Sequence, residues 1–166
     1  MTRKPIIASL LFGASLLLAG CASNRNASDE RIDFLEIAIY RAVNSYRSAN
    51  GLAPLMYDRR IADIARAHSQ AMADGRTPFS HEGALERASQ ARARVPGSGR
   101  VSENLAWSTP REELPPFFVD RWRTSERGHH ETMLGGYTMT GVGVAIAEDG
   151  RVFVTHLFIA TGDVIG

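Results

Sequence analysis

The 166-residue chain contains one cysteine and one lysine. A single cysteine cannot form an internal disulfide, so the chain is not a stapled scaffold and its core must hold by packing. The lysine is Lys4, beside the N-terminus, so Schiff-base chemistry and Walker-type phosphate binding are excluded from everything that follows it. Charge of one sign is also lacking: Lys and Arg total 19, Asp and Glu 18, for a formal +1. Without the first 20 residues, which carry Arg3 and Lys4, the balance becomes 17 basic against 18 acidic, or −1. Such a surface does not attract a phosphate backbone, and nucleic acid is not an expected partner. No internal repeat or low-complexity segment is visible. What remains is ordinary globular material, 44% hydrophobic and 22% charged with 15 Gly and 7 Pro, long enough for one domain.

Arg3 and Lys4 precede an apolar run from Ile6 to Leu18, and Leu18-Ala19-Gly20-Cys21 follows. A cationic start, a run of about 7–15 apolar residues and small residues before a cut describe an export signal. The run falls short of the about 20 apolar residues that a spanning helix needs. The four residues ending at Cys21 resemble a bacterial lipobox. The resemblance implies a signal peptide over residues 1–20, a diacylglycerol thioether on Cys21, cleavage after Gly20 and acylation of the new amine. Two or more acyl chains anchor stably where one does not. Ala22 follows, not Asp, which in a Gram-negative cell implies an outer-membrane lipoprotein facing the periplasm. An ordinary secretory signal with an incidental cysteine is the alternative. Residues 21–30 then comprise the lipidated cysteine and a flexible tether, and residues 31–162 the folded domain.

Ser28-Asp29 can cap a helix carrying Ile32, Leu35, Ile39, Val43 and Tyr46 at three- and four-residue spacing, and Asn50-Gly51 stops it. Asp58 can cap a second helix with Ile61, Ile64, Ala65, His68 and Met72 on one stripe and Gly75 beyond. A weaker helical stretch covers Ala84 to Ala93, and Val95 to Arg100 reads as loop. A further helix starts at Pro115-Pro116 and carries Phe118 and Trp122 inward. Val142, Val144 and Ile146 then alternate with Gly141, Gly143 and Ala145, and Val152 to Ile159 returns after a turn at Glu148-Asp149-Gly150. Both strands are apolar or small on both faces, which predicts a sheet covered by helices on both sides in an α+β domain.

Several catalytic patterns fail on inspection. His81-Glu82 opens like a zincin motif, but Leu85 holds the second ligand position. Gly141-Val142-Gly143 opens like a dinucleotide fingerprint, but Ile146 replaces the third glycine, so this is a packing feature. The sequence after Cys21 has no GxSxG elbow. Polar residues instead gather in three loop-like segments: Phe79 to Gly83, Ser102 to Trp107, and Trp122 to His130. Two imidazoles and a carboxylate, if brought together, can hold a divalent ion or move protons around a serine.

The ordered set resembles the CAP superfamily of cysteine-rich secretory proteins, antigen 5 and plant pathogenesis-related proteins. Arg41 to Arg47, Gly51 to Leu55, Ala65 to Met72 and Thr140 to Val144 extend the likeness, which covers roughly Ile32 to Ile159. The resemblance implies a three-layer α-β-α sandwich with a central, mainly antiparallel sheet. It also implies an open cavity with His81, His129 and Glu103 as lining groups. The second acid of the family falls on Ser125, in a segment one residue longer than the bacterial Ser-Pro-Gly-His, so either Ser125 or Glu126 faces the cavity. His68 and His156 read as buried, hydrogen-bonded histidines, His130 as a solvated neighbour, and Trp107 and Trp122 as core anchors. The favoured function is a monomeric envelope binding module whose cavity takes zinc or another divalent cation, or a lipid-like or envelope ligand, without an organic cofactor. The alternatives are a peptidase-like hydrolase with Ser125 as nucleophile, His129 or His81 as base and Glu103 as orienter, and a purely structural envelope protein.

Overall fold

The computed structural model describes residues 16–162, with side chains from residue 27 onward. Arg3, Lys4, most of the apolar run and the Cys21 thiol lie outside the described part. The elements are α1 (Leu16–Ala49), β1 (Met56–Tyr57), α2 (Arg59–Ala73), α3 (Ala84–Arg94), β2 (Ser98–Ser108), α4 (Leu114–Arg123), α5 (His129–Met133), β3 (Met139–Ile146) and β4 (Val152–Thr161). The chain divides into two units, Met1–Arg31 and Ile32–Gly166. Among the described residues no helix is long and apolar enough to cross a membrane.

Three boundaries differ from the sequence reading. Helix α1 begins at Leu16 and runs through Ser28-Asp29 and residues 22–28, because no glycine or proline stands between Cys21 and Ala49 to interrupt it. The segment read as loop at 95–100 and loop-like at 102–107 is largely the eleven-residue strand β2. His129 and His130 open the short helix α5, which follows Gly128 in the left-handed region at φ 81°.

Helix α2 follows its sequence signals closely. Asp58 accepts the Arg60 N–H at 2.8 Å as N-cap, and Ile61, Ile64, Ala65, His68 and Met72 are all buried. The sheet order is β1-β3-β4-β2; β1 joins β3 parallel, and the other pairs are antiparallel. Leu35, Ile39, Val43, Phe118 and Trp122 from α1 and α4 pack with Val142, Val144, Val154 and Phe158 on one face. Ile61, Ile64, Ala65 and Ala91 from α2 and α3 pack with Leu157 and Ile159 on the other. The result is a helix–sheet–helix sandwich.

The two ends of the sheet are treated differently. At the β3 end the buried carboxylate of Glu36 accepts the Val144 N–H at 3.0 Å and Arg66 Nε–H at 2.7 Å. Burial raises the Glu36 pKa against the lowering pull of Arg66 and the Val144 amide. That edge is therefore closed by β1 and by a side chain. At the other end β2 is paired with β4 alone.

Candidate functional site

Strand β2 positions the site through two consecutive residues. Side chains alternate along a strand, so Glu103 turns toward α2 and α3 while Asn104 turns toward α4 and α5. Glu103 Oε2 accepts Arg87 Nε–H at 2.6 Å, and Oε1 accepts Arg87 Nη2–H at 2.8 Å. His81 Nδ1 lies 2.9 Å from the same Oε1. Burial works to raise the Glu103 pKa, but the Arg87 and His81 hydrogen bonds win and hold it below the usual carboxylate range. An ionised carboxylate only accepts, so His81 Nδ1 carries a proton toward it, and in the neutral ring the lone pair then belongs to Nε2.

The loop bearing His81 is pinned from behind. Arg87 also donates to the Glu82 carbonyl at 2.8 Å, and His68 Nε2 reaches the Ser80 carbonyl at 3.2 Å. Burial, then the nearby Arg87 charge, lowers the His68 pKa and favours its neutral form. His129 is placed from the other face, where Asn104 Nδ2 donates to its backbone carbonyl at 2.9 Å. The two rings meet with centroids 6.2 Å apart and planes tilted by 44°. Burial, then His81 and Arg127, holds the His129 pKa below its ordinary value.

A cavity of about 490 Å³ adjoins His129 and is bounded by Leu105, Ala106 and Trp107 of β2, the end of α4, the 124–127 connection and Phe79. Ser125 and Glu126 both line it, whereas His81 and Glu103 do not. Ser125 Oγ accepts the Arg127 N–H at 3.2 Å. Among the described residues no imidazole is hydrogen-bonded to this hydroxyl, so its geometry is that of a turn cap.

The other singled-out residues divide. Trp122 is a core anchor, 1% exposed, with its indole N–H on the Leu105 carbonyl at 3.0 Å. Trp107 is not one: it is 38% exposed, because it sits on the edge strand at the cavity mouth. His130 is half-buried and bonded to the Tyr46 hydroxyl at 3.0 Å rather than merely solvated. His156 is fully buried, with Nε2 2.6 Å from Thr140 Oγ1 and Nδ1 unpartnered. Sequence reasoning missed Arg87 altogether and gave Asn104 no role. The available signal for Arg87 was its place four residues before Ala91, on the small apolar stripe of α3.

Among the described residues no group of three or more His, Cys, Asp or Glu side chains is arranged to hold a metal ion. Glu103 has both oxygens engaged by Arg87 and His81. That leaves the two imidazoles as the uncommitted donor groups of this cluster, with Glu103 hydrogen-bonded behind one of them.

The model of the cysteine-rich secretory protein family, CAP, matches residues 40–159. Golgi-associated plant pathogenesis-related protein 1 of Homo sapiens is 28% identical over 141 residues, covering 76% of this chain and 83% of that protein. Among solved structures, an extracellular protein containing an SCP domain from Bacillus anthracis is 27% identical, with a TM-score of 0.62 over 78% of this chain. A cysteine-rich secretory protein from Staphylococcus aureus superposes with a TM-score of 0.61 over 80% of this chain at 20% identity. The chain spans 41% and 40% of those two proteins. An outer surface protein from Borrelia burgdorferi, 17% identical with a TM-score of 0.60, is covered over 90% of its length and matches 74% of this chain. At 20% and 17% identity the likeness is one of fold.

Proposed function

This chain belongs to the cysteine-rich secretory protein family, and from that premise we propose that it is an exported, lipid-anchored envelope protein that binds a ligand at the His81–His129 pair, beside the cavity that His129 lines. Export draws support from the cationic and apolar start of the sequence and from the extracellular and outer-surface proteins that share the fold. Anchoring rests on the lipobox-like residues ending at Cys21 and, in a Gram-negative cell, places the domain at the outer membrane facing the periplasm.

The observation that carries the binding role is the His81–Glu103 hydrogen bond of 2.9 Å, which assigns the lone pair of the neutral His81 ring to Nε2, beside a second imidazole. Zinc or another borderline divalent ion suits that pair. Two protein ligands leave the remaining positions to water, so an ion held there is exchangeable and offers open coordination sites to a ligand oxygen. His81 and His129 hold the ion, Glu103 fixes the His81 tautomer, and Arg87 keeps Glu103 ionised. A hydrolase using Ser125 as nucleophile finds less support, since the Ser125 oxygen is turned to the Arg127 amide.

Calorimetric titration of zinc into the purified full chain tests the reading. His81→Ala and His129→Ala should each weaken binding at least tenfold, and His130→Ala should leave it near the parent. Parental zinc affinity in the His81→Ala/His129→Ala double variant would sink the proposal.

A further inference from the structure

We propose that the cavity beside β2 takes a carboxylate attached to a flat apolar group, with Arg121, Arg127 and the Ser125 hydroxyl holding the charge and Phe79 and Trp107 holding the rest. The proposal rests on the reading of this cavity as the ligand site and names the ligand class. It is independent of any metal.

The cavity volume of about 490 Å³ falls among small-molecule sites, which span about 300–1,000 Å³. Its charged lining is unbalanced. Arg121 and Arg127 stand against Glu126 as the single carboxylate, a surplus of one positive charge that one ligand carboxylate balances. The charges nearby are committed elsewhere. Asp120, next to Arg121 in the chain, pairs with Arg123 at 2.6 Å. Arg111 covers the Phe117 ring at 3.7 Å, which leaves Arg121 at 5.9 Å from it, the outer limit of such a contact. Among the described residues neither the Arg121 nor the Arg127 side chain donates a hydrogen bond or joins an ion pair, whereas seven other arginines are paired with carboxylates. The Arg127 charge is also close enough to help lower the His129 pKa, which puts it on the His129 side of the cavity. A guanidinium fork matches a carboxylate with two parallel N–H···O bonds. Ser125 Oγ accepts the Arg127 N–H at 3.2 Å, so its own proton remains to be given to a ligand oxygen.

Two rings set the apolar end. Phe79 and Trp107 line the cavity and are 45% and 38% exposed. They belong to one patch, because the Phe79 ring lies 6.5 Å from that of Phe153 and Phe153 opposes Trp107 in the β2–β4 register. Residues directly opposite share a face of the sheet. Ring faces of this kind favour a flat apolar partner. A ligand charged throughout, or apolar throughout, leaves one end of the cavity unmatched.

The probe is 3-phenylpropionate, beside 3-phenylpropionamide, which has the same shape without the charge. NMR titration of the full chain, freed of metal by dialysis, follows the Trp107 indole N–H and the arginine Nε–H signals. At neutral pH the acid should bind at least about tenfold more tightly than the amide, the worth of one charge-assisted arginine contact. Arg121→Gln and Arg127→Gln should each weaken the acid at least about fivefold and leave the amide unchanged, while Glu126→Gln should tighten the acid about twofold or more. These three residues are exposed, so the substitutions leave the core untouched. Arg41→Gln, exposed on α1 and outside the cavity lining, controls for net charge and should bind as the parent does. N-Acetylphenylalanine presents the same groups as a peptide end. Tighter binding than 3-phenylpropionate would assign the site to chain termini and weaker binding to free acids, and either order supports the carboxylate site. Equal affinity for acid and amide overturns the proposal, as does an equal loss in Arg41→Gln and Arg127→Gln. Acid binding that requires added zinc also overturns it, since the ion and not the arginines would then hold the carboxylate. Zinc binding without acid binding sinks this inference and leaves the imidazole site standing, whereas acid binding without zinc binding supports it and sinks the metal reading.

Discussion

Gly143 of β3 lies so close beneath Arg66 of α2 that a Cβ built on it would stand 1.9 Å from the Arg66 backbone nitrogen. Gly141 repeats the contact one turn earlier, 2.3 Å from the Ala62 nitrogen. Helix α2 therefore rests on the strand backbone itself, and this approach seats Arg66 against the Glu36 carboxylate at the sheet edge.

Gly143→Ala should accordingly lift the helix and cost about 1–3 kcal/mol or more, because backbone cannot rotate aside as a side chain can. Gly136→Ala, which meets open space at an ordinary φ, should stay within about 0.5 kcal/mol of the parent. Urea unfolding of both variants measures the contrast, and equal midpoints would refute the close approach.

Glu103→Gln keeps the shape of the side chain and removes its charge, leaving the buried Arg87 guanidinium uncompensated. Removing one partner of a buried pair costs about 3–5 kcal/mol. The double variant Glu103→Gln/Arg87→Met should recover part of the loss, since it no longer buries a lone charge. A double variant less stable than the single one would show that the pair is not coupled in this way.

Burial holds the His156 pKa down to about 3, against about 6.5 in the unfolded chain. Between these values the unfolded state binds one more proton than the folded state at this position. The contribution of this residue to stability is therefore fully present above about pH 6.5 and is lost as pH falls toward about 3, with a slope of about 1.4 kcal/mol per pH unit. His68 and His129, also lowered, act in the same direction. His156→Phe should flatten the acid limb by that slope, read from denaturant melts at pH 7, 6 and 5. An acid limb as steep as the parent's would remove His156 from the account.

Metabolic labelling with a palmitate analogue should mark the parent protein and not Cys21→Ser, which should also leave the membrane fraction. An equally labelled serine variant would rule out Cys21 as the acylated residue.

Helix α2 shows what local sequence can specify. Its cap, its apolar stripe and its stop before Gly75 are all written within one stretch of chain, and the structure reproduces each. The Gly141–Gly143 pair was legible as a packing feature, but that the α2 backbone is what packs on it came from the structure. Strand β2 was not legible, because Ser102, Glu103 and Asn104 break the apolar alternation that marks a strand. Those polar side chains are buried or half-buried only because Tyr137, Arg87, His81 and the His129 carbonyl come to meet them. The short α5 has too few residues to show a period.

The sequence by itself determined the family, the sandwich and the identity of His81, Glu103 and His129 as the residues to watch, since residue type and order survive without coordinates. Tertiary structure decided what each of them does. It committed Glu103 to Arg87 and His81, gave Asn104 the task of holding His129, turned Ser125 to its own loop, and exposed Trp107 on the edge strand. The roles of Glu103 and Asn104 depend on groups 16 to 25 residues apart meeting in the folded chain, and no local pattern of side chains records which partners those will be.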